Sequence, residues 1–236
     1  MLRQSDIRNK FPFLRESGHI VSLVGAGGKT TVMYGLARAY AQGDRKVIVT
    51  TTTHIQRPCD FPVAEDIHTL KLLLRTHPIV VAGKDAGNNK LKMPDGFELF
   101  AYQKLAGLIL IEADGAKRLP CKAPELWEPV ILPGCDIVLG VMGLDALGKP
   151  LAEVCFRKER VMEILHVDEC HCMEEADLAA ILSGESGTKK DVGGREYYVV
   201  LNKCDDARRM EQAERIRALL ADKGILQAVY TSFQGI

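Results

Sequence analysis

The chain has 236 residues, enough for one α/β domain with an insertion or a small appended lobe. Hydrophobic residues make up 47% and charged residues 26%, the balance of a globular protein with a real core. Its 31 basic residues are matched by 31 acidic ones, which argues against a general nucleic-acid or membrane-surface binder and leaves a local basic patch open.

The first residues, MLRQSDIRNKFPFLRESG, lack the apolar centre of a signal peptide, and residues 5–15 suit a short amphipathic helix opened by Ser5 or Asp6. Residues 19–24 form a β-branched apolar run that reads as a buried strand. From Thr30 onward Val32, Met33, Leu36, Ala37 and Tyr40 recur at helical spacing, with Gly43 as a stop, and Lys46 to Thr50 reads as the next strand. This strand–Gly loop–helix–strand order is the βαβ start of a parallel sheet. A helix around 65–76 and a strand at 78–82 follow, then a turn-rich segment at 84–96 that suits a loop or small hairpin.

Residues 107–111 read as a central strand ending at Glu112, and 136–141 as another. Helices are expected around 157–165 and 174–182, followed by a flexible stretch, SGESGTKKDVGG. A last unit has a strand in EYYVVLNKCD, a helix with Met210, Ala213, Ile216 and Leu220 on one face, and a strand near 227–231. The expectation is one α/β domain of three layers, a mostly parallel central sheet with helices on both faces; 84–96 and 143–195 are candidate insertions or a peripheral lobe. No apolar run approaches the roughly 18–20 residues that cross a bilayer. Seven cysteines without framework spacing favour a reducing, cytoplasmic setting.

Between the first strand and its helix lies GAGGKTT, Gly25, Ala26, Gly27, Gly28, Lys29, Thr30 and Thr31. There, successive N–H groups and a helix N-terminus can wrap a phosphate, Lys29 can reach the β- and γ-phosphates, and the Thr30 hydroxyl can bind Mg²⁺. The common phosphate-loop spacing is incomplete, since its first glycine falls on Leu23; the shorter Gly-x-x-Gly-Lys-Thr-Thr form resembles the loop of Mur-type ligases. The alternative is an ordinary glycine-rich turn. VVLNKCD resembles the guanine-reading motif of GTPases, in which Asp205 would accept from the base, the Lys203 stem would pack on it and Asn202 would orient the neighbouring loop. Thr231 and Ser232 are candidates to complete that pocket. The alternative is a helix cap at Asp205 or Asp206.

In LILIEADGAKRLPCKAP, an apolar strand ends in Glu112 and Asp114, where a metal-positioning carboxylate belongs. One would hold Mg²⁺ through water and the other would orient an attacking water; Asp114 is placed with Thr30 on the Mg²⁺ side. Lys117, Arg118 and Lys122 either clamp phosphate or an anionic substrate or are solvated. Thr52, Thr53 and His54, leaving the second strand, either approach the γ-phosphate or metal or simply suit a strand. His166, Cys170, His171 and Cys172 cluster without the second ligand pair of a zinc site, and Arg157 and Arg160, three apart on a helix, either meet phosphate or, as favoured, form surface ion pairs.

Taken together, VGAGGKTT, VTTTTH, IEADGAKRLPCKAP, MGLDALGKPL with the following Arg157, and VLNKCD resemble the YqeC family from about residue 18 to 232. The resemblance implies a P-loop protein serving maturation of selenium-dependent molybdenum hydroxylases or their cofactor. It places Gly25, Gly27, Gly28, Lys29 and Thr30 in the phosphate loop, and Glu112, Asp114, Lys117 and Arg118 in an acidic–basic segment. Asn202, Lys203 and Asp205 fall at the base-reading position, and Asp145 within a family motif. Three functions follow as expectations. The first is a Mg²⁺-dependent GTP- or ATP-hydrolysing maturation factor, with GTP favoured. The others are a transferase or ligase acting on a small anionic acceptor, and a non-catalytic nucleotide-dependent chaperone for an apo-hydroxylase. The expected partners are nucleotide and the hydroxylase or its maturation proteins, with neither nucleic acid nor membrane.

Overall fold

A computed structural model describes residues 4–233. Eight strands form one sheet: β1 (His19–Gly25), β2 (Val47–Thr51), β3 (Val63–Ala64), β4 (Ile79–Ala82), β5 (Leu108–Glu112), β6 (Ile137–Gly143), β7 (Glu196–Asn202) and β8 (Ala228–Tyr230). Their order is β8-β7-β6-β1-β5-β2-β4-β3, and every neighbouring pair runs parallel.

The period of two in the strands decides which core each side chain enters. Val21 and Leu23, Val47 and Val49, Leu108 and Leu110, and Leu139 and Val141 share one core with helix α2 (Lys29–Tyr40) and with Ile7 of helix α1 (Gln4–Lys10). The intervening residues Ile20, Ile48, Ile109, Ile111 and Val138 enter a second core. That core is closed by Leu70 of α3 (Ile67–Leu73) and Tyr102 of α4 (Leu99–Gln103). Farther along the same face, Met142, Val199 and Leu201 meet α5 (Leu151–Val154), α6 (Lys158–Leu165), α7 (Glu175–Ser183) and α8 (Ala207–Ala221). The fold is therefore α/β, with a parallel sheet covered by helices on both faces. Both sides of the sheet are dry, which is why the strands read as continuous apolar runs.

Several expectations need correction. Ser5 and Asp6 both lie within the first helix and not ahead of it as caps, and Pro12 opens a separate 3-10 turn. Met210 is 47% exposed: its neighbours Ala213, Ile216 and Leu220 fill the space below α8. The glycine-rich stretch 183–194 is packed, with Thr188 and Val192 buried and the Thr188 and Tyr197 hydroxyls 2.8 Å apart. Segment 84–96 does carry the small hairpin expected of it, Lys84–Asp85 against Lys90–Lys92, and Ile55–Gln56 adds a third antiparallel strand. No helix of the described residues is long and apolar enough to cross a membrane.

Chain order changes direction beside β1. The chain builds β2 to β5 on one side of it, then returns to lay β6, β7 and β8 on the other. The C-terminal end of such a switch point is where open α/β sheets bind ligands, and it is where β1 hands over to Gly25.

Candidate functional site

The loop from Gly25 to Gly28 bends through left-handed backbone, with φ of 95° at Gly25, 71° at Gly27 and 105° at Gly28. Gly27 has a second constraint, because a Cβ there would run into the backbone of Gly143. Gly27→Ala is expected to destabilise the fold by about 2 kcal/mol or more, combining a left-handed alanine with that overlap. Thermal unfolding checks this; a variant within about 0.5 kcal/mol of the parent would contradict the constraint.

Three N–H groups of the loop already have acceptors. Gly25 donates to Asp114, Ala26 to the Val141 carbonyl at 2.8 Å, and Gly27 to the Leu119 carbonyl at 3.0 Å. No side chain caps α2, whose N-cap is Gly28, so the donors left for an anion are those of the first helical turn. Thr30 sits in that turn, and its hydroxyl donates to Glu112 Oε2 at 2.7 Å. Glu112 closes β5, the strand next to β1, and is buried. Burial raises its carboxyl above the usual range, opposed by the Lys29 charge and the Thr30 hydrogen bond.

Lys29 is parked rather than extended. Its Nζ donates to the Gly25 carbonyl at 2.6 Å and lies 3.1 Å from Asp114 Oδ1. Asp114 in turn faces Lys122 at 3.0 Å, and Lys122 bonds Glu128 at 2.8 Å and the Gly115 carbonyl at 2.7 Å. These four groups form a chain of alternating charge with the side chain of Lys122 fully buried at 0% exposure. Lys122 is therefore neither a solvated cation nor an open phosphate clamp; it is the internal counter-ion of Asp114 and Glu128. The spacing of the motif hid this because the pairing depends on Cys121–Lys122 aligning with Cys155–Phe156 as a two-residue parallel ladder.

Across the loop, Asn202 holds Gly27: its amide donates to the Gly27 carbonyl at 2.8 Å, while its carbonyl accepts from the Thr231 hydroxyl at 2.9 Å. Lys203, in left-handed backbone at φ 60°, bonds Asp145 at 2.7 Å. The cap of α8 is Asp206, which accepts from the Arg209 N–H at 2.8 Å. Asp205 is thus free of capping, and accepts from Ser232 at 2.6 Å and Arg209 at 3.0 Å.

A cleft of about 880 Å³ opens over the loop. Gly27 to Thr31, Thr53, His54, Glu112, Lys117, Arg118 and Lys203 all line it. Thr52 turns away and donates to the Val130 carbonyl at 3.0 Å, and Asp205 is not among the lining residues, although its neighbour in sequence Lys203 is. Lining residues that the sequence does not mark as site members include Lys90, Glu128 and Phe156, and Arg157, for which the sequence favours surface ion pairs over phosphate, lines the cleft as well. Arg157 is not on the helix face with Arg160; it precedes α6 as its N-cap, at φ 61°, while Arg160 pairs with Glu163. No spacing rule marks a residue whose backbone turns left-handed just before a helix. Among the described residues no group of three or more His, Cys, Asp or Glu is placed to hold a metal, and His171 bonds Asp177 at 2.7 Å.

The family model described as YqeC protein matches residues 21–159, which carry the glycine loop, Glu112, Asp114, the buried charge chain and Arg157. The chain belongs to the YqeC family. It is 31% identical over 212 residues to the uncharacterized protein YqeC of Escherichia coli (strain K12), covering 85% of this chain and 82% of that one. The matched span of the family model ends before Asn202, so it takes in the glycine-loop side of the cleft and not Asn202, Lys203 or Asp205.

Proposed function

We propose that the chain binds a Mg²⁺–nucleoside triphosphate in this cleft, GTP in preference to ATP, and hydrolyses it. One observation carries the reading: an uncapped helix start follows a glycine loop and presents Lys29 and Thr30, with Thr30 hydrogen-bonded to a buried carboxylate on the adjacent strand. Open N–H groups, a lysine and a hydroxyl–carboxylate pair are the parts that phosphoryl-transfer sites of the P-loop type assemble.

Mg²⁺ prefers a few hard oxygen ligands and keeps waters and phosphate oxygens for the rest, and Thr30 Oγ1 with Glu112 Oε2 fits that donor set. The sequence placed Asp114 beside Thr30. Asp114 is committed to the Gly25 N–H, Lys29 and Lys122, so Glu112 is assigned to the ion and Asp114 to holding both lysines. The ion would supply charge neutralisation on the phosphate oxygens. Lys29 would move from the Gly25 carbonyl to the phosphates, leaving Asp114 neutralised by Lys122. His54 and Thr53, which also line the cleft, are the candidates to orient a water.

Preference for GTP rests on Asp205. A carboxylate offers about four acceptor positions, and Ser232 and Arg209 use two, which leaves room for a guanine N1–H and amine. Calorimetric titration with Mg²⁺ and either GTP or ATP tests this. GTP is expected to bind at least tenfold more tightly, about 1.4 kcal/mol, and Asp205→Asn to erase that margin while admitting xanthosine nucleotides. Equal or better ATP binding by the parent chain would reduce Asp205 to an anchor for Ser232 and Arg209. The family resemblance extends the reading to maturation of selenium-dependent molybdenum hydroxylases or their cofactor, with such an enzyme or its maturation proteins as partners.

A second reading, transfer to a small anionic acceptor, is favoured by the wall of the cleft. Six cationic side chains line it against two carboxylates, in a chain whose formal charge is zero.

A further inference from the structure

The guanidinium of Arg157 lies over Phe156, 4.7 Å from the ring centre, and over Trp127 at 5.6 Å. Its nearest carboxylates, Glu125 and Glu128, are each 3.8 Å away, beyond hydrogen-bond range. Its Nε is buried with no acceptor among the described residues. A guanidinium carries five N–H donors in a rigid fork suited to phosphate and carboxylate, and here ring stacking and two long ion pairs hold the fork in place while none of its donors makes a hydrogen bond among the described residues. An unpaired buried donor calls for a partner, and this one belongs to a side chain that lines the cleft.

Three more cations share that lining: Lys90, Lys117 and Arg118. Lys117 meets only the Phe156 ring, at 5.2 Å, and none of the three side chains has a hydrogen bond or ion pair among the described residues. Lys117, Arg118 and Arg157 all sit in left-handed backbone, at φ of 46°, 65° and 61°. Non-glycine residues adopt that region rarely and gather there at functional sites.

The geometry points to a second anion site in the cleft, centred on Arg157 with Lys90, Lys117 and Arg118, that takes the oxyanion (phosphate or carboxylate) of a second substrate. The glycine loop and Lys29 serve one anion; this group serves another. The inference depends on the nucleotide reading only in calling the substrate second. Its test uses phosphate alone, so failure of GTP binding and failure of this site are separate results.

Equilibrium titration of the full chain with inorganic phosphate, without nucleotide, is expected to show two sites. Lys29→Ala should retain one, Arg157→Ala one, and the double variant none. In the Lys29→Ala background, Arg157→Lys should weaken the remaining site at least fivefold, since a point charge replaces the planar fork, with the melting temperature unchanged. Loss of all phosphate binding in Lys29→Ala alone would overturn the proposal, as would two sites surviving in Arg157→Ala. Phenyl phosphate resolves the source of the oxyanion in the Lys29→Ala chain. Binding at least tenfold tighter than inorganic phosphate assigns it to an organic substrate, and equal binding to a free oxyanion.

Discussion

Lys29→Ala is expected to lower affinity for Mg²⁺–GTP by at least tenfold and toward a hundredfold. A hydrogen bond to a charged group contributes about 1.5–3 kcal/mol, and tenfold in affinity is about 1.4 kcal/mol. The loss is smaller than the bare contact suggests, because Lys29 must first leave the Gly25 carbonyl and Asp114. Fold stability should change little, since Asp114 keeps Lys122 and the Gly25 N–H. Titration calorimetry reads the affinity and thermal unfolding the stability. Unchanged affinity in a folded variant would remove the phosphate-loop reading altogether.

Lys122→Met is expected to act in the opposite way, mainly on stability. It leaves Glu128 without its closest cation and Asp114 with Lys29 alone, both carboxylates being nearly buried. Removing one partner from a buried ion pair costs roughly 3–5 kcal/mol, a large part of the stability of an ordinary domain. Urea denaturation measures it through the midpoint at unchanged slope. The double variant Lys122→Met/Glu128→Gln should recover part of the loss, because the stranded charge is then gone. A shift below about 1 kcal/mol for the single variant would mean that Asp114 and Glu128 do not rely on Lys122.

The central strands and α2 were legible because each is specified locally. Val21, Leu23, Leu108 and Leu110 alternate with Ile20, Ile109 and Ile111 in runs that suit only a sheet covered on both faces. The turn of the glycine loop was legible because Gly25, Gly27 and Gly28 answer to left-handed backbone over a few residues. Lys122 was not, since whether it is solvated or buried depends on the approach of residues 155 and 156 from the next unit of the chain. The place of Arg157 was hidden for the same reason: helical spacing set it on a helix face with Arg160, while its backbone put it ahead of the helix, against Phe156 and the cleft. The division of labour between Glu112 and Asp114 also needed three dimensions. Two residues apart at a strand end, they look equivalent, until the helix start reaches one and the lysines reach the other.

The uneven placement of charge bears on how fast the site fills. A chain neutral in sum gathers Lys29, Lys90, Lys117, Arg118, Arg157 and Lys203 around one opening; Asp114, Asp145 and Glu128 offset three of them, while Lys90, Lys117 and Arg118 have no ion-pair partner among the described residues and leave the opening locally positive. Anions approaching from solvent are then steered toward the opening before any contact forms. That reach follows the Debye length, which falls from about 10 Å at 0.1 M ionic strength to about 3 Å at 1 M. Departure answers to short contacts that salt screens far less. Encounter rates should therefore carry most of the salt dependence, and a crowded, saline medium would slow the filling of the cleft more than its emptying.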